Sequence, residues 1–190
     1  MRTSFLNINK KVFSTRFNSL FNYTDPTNPR VYLKVAKNNE EIGNLVFELY
    51  KNHCPKTVNN FLQIASGAAE NLSYKNTVFE KITKGFCLQG GNVVDSEGNE
   101  TSVYGENFPD ENLRLKHTKR GVLTMDNHGS DSNSSRFMVT FTDTPWLDGY
   151  HVVIGELVEG ENVLAEIENH GTREGTPKAE IKVVDCGQLL

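Results

Sequence analysis

The chain has 190 residues, of which 37% are hydrophobic and 23% charged, with a formal net charge of −4 at pH 7. This length and composition suit one globular domain with a short additional segment. The acidic balance disfavours nucleic acid as a partner, because proteins that bind it carry basic patches. No apolar run approaches the roughly 18 residues that a membrane-spanning helix needs, so no membrane span is predicted.

The first 24 residues differ in composition from the rest of the chain: they contain four basic residues and no acidic one. They lack the apolar stretch of about 7–15 residues that a secretory signal needs. This pattern is typical of a mitochondrial transit peptide and predicts a location on the matrix side. The alternative is a plain disordered tail on a cytoplasmic protein. Residues 25–30 are rich in turn formers, so we predict an N-terminal arm at residues 1–30 and a domain at residues 31–190.

Two strands are predicted at the start of this domain. Apolar and polar residues alternate over residues 31–36 and again over residues 43–50, which is the period of a half-buried strand. Asn38 and Asn39 form a turn between them, so the two strands are expected to pair as a hairpin.

A helix is predicted next, at residues 55–66. Pro55 suits a first helical turn. Apolar side chains recur at intervals of three and four residues from Val58 to Ala65, which places them in one stripe along a helix. Gly67 is expected to end the helix.

Further elements are predicted in the second half of the chain. Residues 92–119 are rich in glycine, asparagine and acidic residues and show little periodicity, which is typical of a functional loop. Beyond this loop, the pattern predicts strands at residues 121–125, 136–141, 151–157 and 181–185 and a helix at residues 161–169. This inventory indicates a mainly β fold with a mostly antiparallel sheet, whose edges must be joined or covered.

The segment at residues 78–92 carries the most informative chemistry. Lys81 and Gln89 lie on either side of a turn at residues 83–85, and Phe86 follows the turn. Two strands joined by this turn would hold a cation, an aromatic ring and an amide on one face. The sequence therefore predicts a shallow polar and aromatic groove. No metal or cofactor is predicted, since the three cysteines show no C-x-x-C spacing.

This segment resembles the signature region of the cyclophilins, the cyclosporin-binding peptidyl-prolyl isomerases. Further segments agree in the same order, at residues 55–61, 104–106, 115–118, 146–149, 151–153 and 185–188. Together they extend the resemblance over residues 31–188. It implies a closed eight-stranded antiparallel β-barrel with an α-helix at each end. It also implies an enzyme of protein folding that turns X–Pro bonds in polypeptides between cis and trans.

The resemblance assigns roles to individual side chains. The pocket for the proline ring would be lined by Phe86, Met138, Leu147 and His151. Asn127 would bind the substrate backbone, and Gln89 would bond to the carbonyl that swings during rotation. Trp146 would form the rim at which the family binds cyclosporin; taken alone, it could also be a loop anchor.

Five positions depart from the residues that the family usually has. Lys81 replaces an arginine, Asp126 and His128 small residues, Arg136 a glutamine and Met138 a phenylalanine. Lysine offers a hydrated point charge where arginine offers a rigid fork of donors. One hypothesis is that Arg136 supplies the missing guanidinium. The competing hypothesis is that Asp126 pairs with Arg136 or Lys81 and neutralises the groove.

Two functions remain open at this point. The first is a mitochondrial isomerase that acts on proline-containing polypeptides, with cyclosporin bound more weakly than is usual for the family. The second is a catalytically weak or inactive subunit of a larger mitochondrial assembly, docked through residues 1–30. The substitution at Lys81 favours the second function, whereas the retained Phe86, Gln89, Trp146 and His151 favour the first.

Overall fold

The computed structural model describes residues 23–189. This part of the chain forms an antiparallel sheet with the strands β1 Arg30–Lys37, β2 Glu40–Leu49, β3 Lys81–Thr83, β4 Cys87–Gly90, β5 Val122–Met125, β6 Phe137–Thr140, β7 Val153–Glu159 and β8 Ile181–Leu189. It also contains the helices α1 Pro55–Ser66 and α2 Glu161–Asn169 and a 3₁₀ turn at Pro145–Leu147. Within residues 23–189, no helix is both long and apolar enough to cross a membrane.

The strands follow the order β3-β4-β6-β5-β7-β2-β1-β8, which leaves β3 and β8 at the edges. The prediction of a closed barrel is wrong, because the described strands form a curled, open sheet without a ladder between these two edges. The physical reason is that each edge is covered by another segment. The backbone of residues 172–175 bonds to β3, and the backbone of residues 76–79 bonds to β8. Both edges thereby lose the free groups that would pair them.

The first hairpin and both helices are confirmed. Asn38 and Asn39 adopt φ of 48° and 70°, the left-handed region that a tight hairpin turn requires and asparagine tolerates. Helix α1 ends at Gly67 with φ of 70°. Its first turn has an unpredicted partner, since Glu111 in the long loop accepts hydrogen bonds from the Thr57 backbone and hydroxyl. A carboxylate at this end suits the helix dipole.

The strands β4 and β6 separate the core from the surface on which the groove lies. Successive side chains of a strand point to opposite faces of the sheet. Leu88 and Val139 belong to the main hydrophobic core, whereas Cys87 and Met138 belong to a separate small cluster. That small cluster therefore lies on the face turned away from the main core.

Residues at the end of the predicted N-terminal arm pack against the sheet. The Tyr23 ring meets the rings of Tyr50 and His53 edge-on, at centroid distances of 5.4 Å and 5.2 Å. The Asp25 backbone N–H donates to Glu48 Oε1 at 3.0 Å. Residues 1–22 of the predicted arm lie outside the described residues.

Candidate active site

The β3–β4 hairpin brings the predicted cation and amide together. Strand register places Lys81 opposite Gln89 and Thr83 opposite Cys87. Gly85 closes the turn with φ of 77°, a conformation that glycine adopts without strain. Lys81 and Gln89 therefore project from neighbouring strands on the same face, as the residue spacing predicts.

An apolar patch lies beside this pair on the same face of the sheet. It consists of Cys87, Met138 and Leu147, with Phe86 packed against them. The Gln89 amide nitrogen lies 3.7 Å from the Met138 sulfur. Burial raises the pKa of the Cys87 thiol to about 12, so at neutral pH it is an uncharged, apolar part of this surface. Sequence reasoning missed Cys87, although its strand position two residues before Gln89 places both on one face.

Trp146 and Leu147 connect this patch to a neighbouring cavity. The Trp146 ring lies 5.8 Å from the Phe86 ring, and Trp146 is 59% exposed. Both Trp146 and Leu147 also line a half-open cavity of about 300 Å³, together with Asn127 and His151. The groove is therefore one continuous surface, formed by the predicted residues Lys81, Phe86, Gln89, Asn127, Met138, Trp146, Leu147 and His151. The cavity extends it toward Asp110 and Tyr150, which sequence reasoning missed.

Hydrogen bonds orient the polar side chains of the cavity. His151 Nδ1 lies 3.0 Å from the Met125 carbonyl; a carbonyl only accepts, so Nδ1 carries the proton. Asn127 Nδ2 donates to the Tyr150 carbonyl at 2.8 Å, which joins the two loops on either side of the cavity.

A comparison with protein families found a match over most of the chain. The family model described as cyclophilin-type peptidyl-prolyl cis-trans isomerase/CLD matches residues 32–188. The chain belongs to the cyclophilin family. In this cyclophilin the predicted groove residues lie on one continuous surface, and the departures from the usual family residues include Met138 within its apolar part as well as the charged positions around it.

In this cyclophilin, Arg136 is surrounded by carboxylates. Its Nη2 lies 2.8 Å from Glu80 Oε2, its Nε 3.7 Å from Asp126 Oδ2 and its Nη1 3.9 Å from Glu100 Oε2. The Arg136 side chain is 19% exposed. Glu80 therefore engages Nη2, whereas the buried Nε has no hydrogen-bond partner among the described residues and faces Asp126 at ion-pair distance. This favours the hypothesis that Asp126 pairs with Arg136 over the hypothesis of a replacement donor, with Glu80 as the nearest and unpredicted partner.

Lys81, by contrast, forms no ion pair within residues 23–189. Its stem packs on Gly175, where an added Cβ would lie 2.6 Å from Lys81 Cγ. The residue as a whole is exposed. The predicted alternative in which Asp126 pairs with Lys81 is not what the structure shows, since the ion-pair partner of Asp126 is Arg136.

A buried histidine supports the segment that carries Trp146. His117 Nδ1 lies 2.9 Å from Asp148 Oδ1, and Nε2 lies 3.1 Å from the Thr124 hydroxyl. The His117 carbonyl accepts from the Thr144 backbone N–H at 2.9 Å. Burial lowers the pKa of His117, although Asp148 opposes this shift. His117 therefore links β5 to the 3₁₀ turn on which Trp146 and Leu147 lie.

Proposed function

We propose that this protein is a peptidyl-prolyl cis–trans isomerase that acts on X–Pro bonds of polypeptides and assists their folding. The observation that carries the proposal is the Lys81–Gln89 pair beside the apolar surface of Phe86, Met138 and Leu147. Rotation about the prolyl peptide bond faces a barrier of roughly 18–20 kcal/mol that comes from amide resonance. A catalyst needs no nucleophile for this step. It needs to bind the twisted amide better than either planar form.

The groove offers the groups that this differential binding requires. The apolar patch receives the proline ring, and its removal from water contributes the affinity. The Gln89 amide can bond to the carbonyl that rotates past it. As the bond twists, the prolyl nitrogen becomes pyramidal and gains a lone pair. The ammonium of Lys81 donates to this lone pair, an interaction that is absent from the planar forms.

The charge-bearing residues lead us to expect reduced activity. A point charge on a flexible stem aligns less well than a planar fork of donors, and a misplacement of about 1 Å can lower a rate about a hundredfold. Arg136 does not compensate, since Glu80 holds its guanidinium. For the same reasons we expect weaker cyclosporin binding than is usual for the family. A tight complex in a fluorescence titration of Trp146 would contradict this expectation.

A protease-coupled assay on a proline tetrapeptide tests the proposed activity. Full-length protein is expected to accelerate isomerisation, and the Gln89→Leu variant is expected to lose about tenfold or more of kcat/KM, because a bond made in the transition state is removed. Gln63→Leu is the matched control, since Gln63 lies on α1 and outside the groove. Equal rates for wild type and Gln89→Leu would refute the assigned role. No acceleration by wild type would refute the activity itself.

A second candidate is a binding subunit of a larger mitochondrial assembly. Lys81 in place of the family's arginine and the acidic surroundings of Arg136 support it, since both weaken the catalytic donors. Docking would use the N-terminal arm, residues 1–30. The native size of the protein in a mitochondrial extract tests this candidate: migration only as a free monomer of 21.3 kDa would contradict it.

We also propose a location on the matrix side of the mitochondrion. The support is the excess of basic residues in the first 24 positions, which is typical of a transit peptide. A fusion of residues 1–30 to a fluorescent protein should enter mitochondria. A cytoplasmic distribution of that fusion would support the alternative of a plain tail.

A further inference from the structure

Glu168 lies in an unusual place for an acidic residue. It belongs to the last turn of α2, where the negative end of the helix dipole disfavours a carboxylate. The Glu168 side chain is nevertheless largely buried, with only 19% of its surface exposed. Its two oxygens have different partners outside the helix. Oε1 accepts from the Gly85 backbone N–H at 3.0 Å, and Oε2 accepts from the Arg120 guanidinium.

Arg120 lies just before β5 and connects Glu168 with the other side of the β3–β4 turn, in which Gly85 lies. Its Nη1 donates to the Phe141 carbonyl at 3.0 Å, and the guanidinium carbon lies 5.3 Å from the centre of the Phe141 ring. The Phe141 backbone N–H donates to the Phe86 carbonyl at 2.7 Å. Because Phe86 follows Gly85 in the chain, these contacts form a closed ring.

This ring is formed by Gly85, Phe86, Phe141, Arg120 and Glu168. It holds Phe86, the groove residue of the β3–β4 hairpin that is not itself part of a strand. Lys81 and Gln89 are fixed by β3–β4 pairing, whereas Phe86 lies in the connecting turn. The ring fixes the backbone on both sides of the Gly85–Phe86 peptide. Charge-assisted bonds of a partly buried pair are stronger and more directional than neutral ones. The position of the Phe86 side chain therefore depends on residues that do not line the groove.

We propose that Arg120 and Glu168 are positioning residues that hold Phe86 in place as a wall of the proline pocket. The expected effect on catalysis rests on the proposed isomerase function. The expected effect on the position of Phe86 rests on the geometry of the ring alone. A purely structural ion pair would tie α2 to the sheet without affecting the groove.

The Glu168→Gln variant distinguishes a positioning role for this ion pair from a purely structural one. A glutamine side chain has one accepting oxygen, whereas the Gly85 N–H and the Arg120 guanidinium both need an acceptor. One of the two bonds must therefore be lost, with little change in side-chain shape. Glu166→Gln is the matched control, because Glu166 lies on the same helix and pairs with Lys37 at 2.7 Å, away from the turn.

The effect of Glu168→Gln is measured on the full-length chain by tryptophan fluorescence and by steady-state kinetics. Trp146 is the only tryptophan of the protein and contacts the Phe86 ring, so its emission reports on that contact. In Glu168→Gln the emission maximum should shift, and KM for a proline peptide should rise about fivefold with kcat within about twofold, as expected when binding shared by ground and transition states is lost. Glu166→Gln should leave emission, KM and kcat unchanged.

Unchanged emission and unchanged KM in folded Glu168→Gln would overturn the proposal. If that variant does not fold, Arg120→Lys takes the same test, since a lysine keeps the charge and loses the forked geometry. Should the wild type show no isomerase activity, the emission shift and the dissociation constant of the same peptide still decide the role of the ring. Failure of the proposed function is thereby distinguished from failure of this inference.

Discussion

Replacing Lys81 by arginine is expected to raise kcat/KM about tenfold, because the variant restores a forked donor at the prolyl nitrogen. The fork adds a second donor to the one that Lys81 already offers, and one hydrogen bond from a charged group contributes about 1.5–3 kcal/mol. Lys81 is exposed, so solvent screening places the gain at the lower end of that range. Each 1.36 kcal/mol or so of transition-state stabilisation corresponds to about a tenfold change in rate, and about 1.5 kcal/mol therefore gives the expected factor.

The protease-coupled assay at substrate concentrations well below KM measures this ratio directly. Lys81→Ala removes the donor altogether and should lower kcat/KM below that of wild type. Lys84→Arg is the control, since Lys84 is exposed on the same hairpin but lies in its turn. Equal kcat/KM for wild type, Lys81→Arg and Lys81→Ala would refute the reasoning, because it would show that this side chain does not donate in the transition state.

Three further outcomes are expected. Gly175→Ala should displace the Lys81 stem and lower kcat/KM, since its Cβ would lie 2.6 Å from Lys81 Cγ on a backbone with φ of 94°; unchanged kinetics would contradict this. Arg136→Ala should leave kcat on an uncharged peptide within about twofold, because Glu80 already engages the guanidinium, and a large loss would identify Arg136 as the donor. Burial lowers the pKa of His117 below its ordinary 6.5, so the unfolded state binds more protons as the pH falls through 6.5. Stability should then decline toward the folded pKa by up to about 1.4 kcal/mol per pH unit, and thermal unfolding should show a weaker pH dependence in His117→Asn; parallel curves would contradict it.

Local signals predicted much of the fold. Helix α1 has the bounds expected from Pro55, the apolar stripe and Gly67, because each of these features acts within one or two turns of chain. The prediction of a closed barrel, which the resemblance alone implied, was wrong because the edge of β3 is occupied by residues 172–175, which lie about ninety positions away. No local pattern reports which distant backbone will take an edge strand.

The candidate site was predictable to a similar extent. The proximity of Lys81 and Gln89 follows from one short hairpin. The acidic surroundings of Arg136 do not, since Glu80 lies just before β3 and Glu100 lies in the long loop between β4 and β5. Glu168 could not be recognised from the sequence either, because a glutamate in a helix is ordinarily a solvated side chain. Its significance comes only from the tertiary contacts with Gly85 and Arg120.

Exchange spectroscopy of a proline peptide tests the central claim most directly, because it observes rotation of the peptide bond without a coupled protease. Uncatalysed exchange takes tens to hundreds of seconds, so the free peptide shows no cross-peaks between its cis and trans signals at mixing times of about 1 s. With a catalytic amount of full-length protein, we predict such cross-peaks, together with shifts in the side-chain N–H signals of Gln89 and Trp146. Binding shifts without cross-peaks, or no response of either kind, would contradict the account of the groove as an isomerase site.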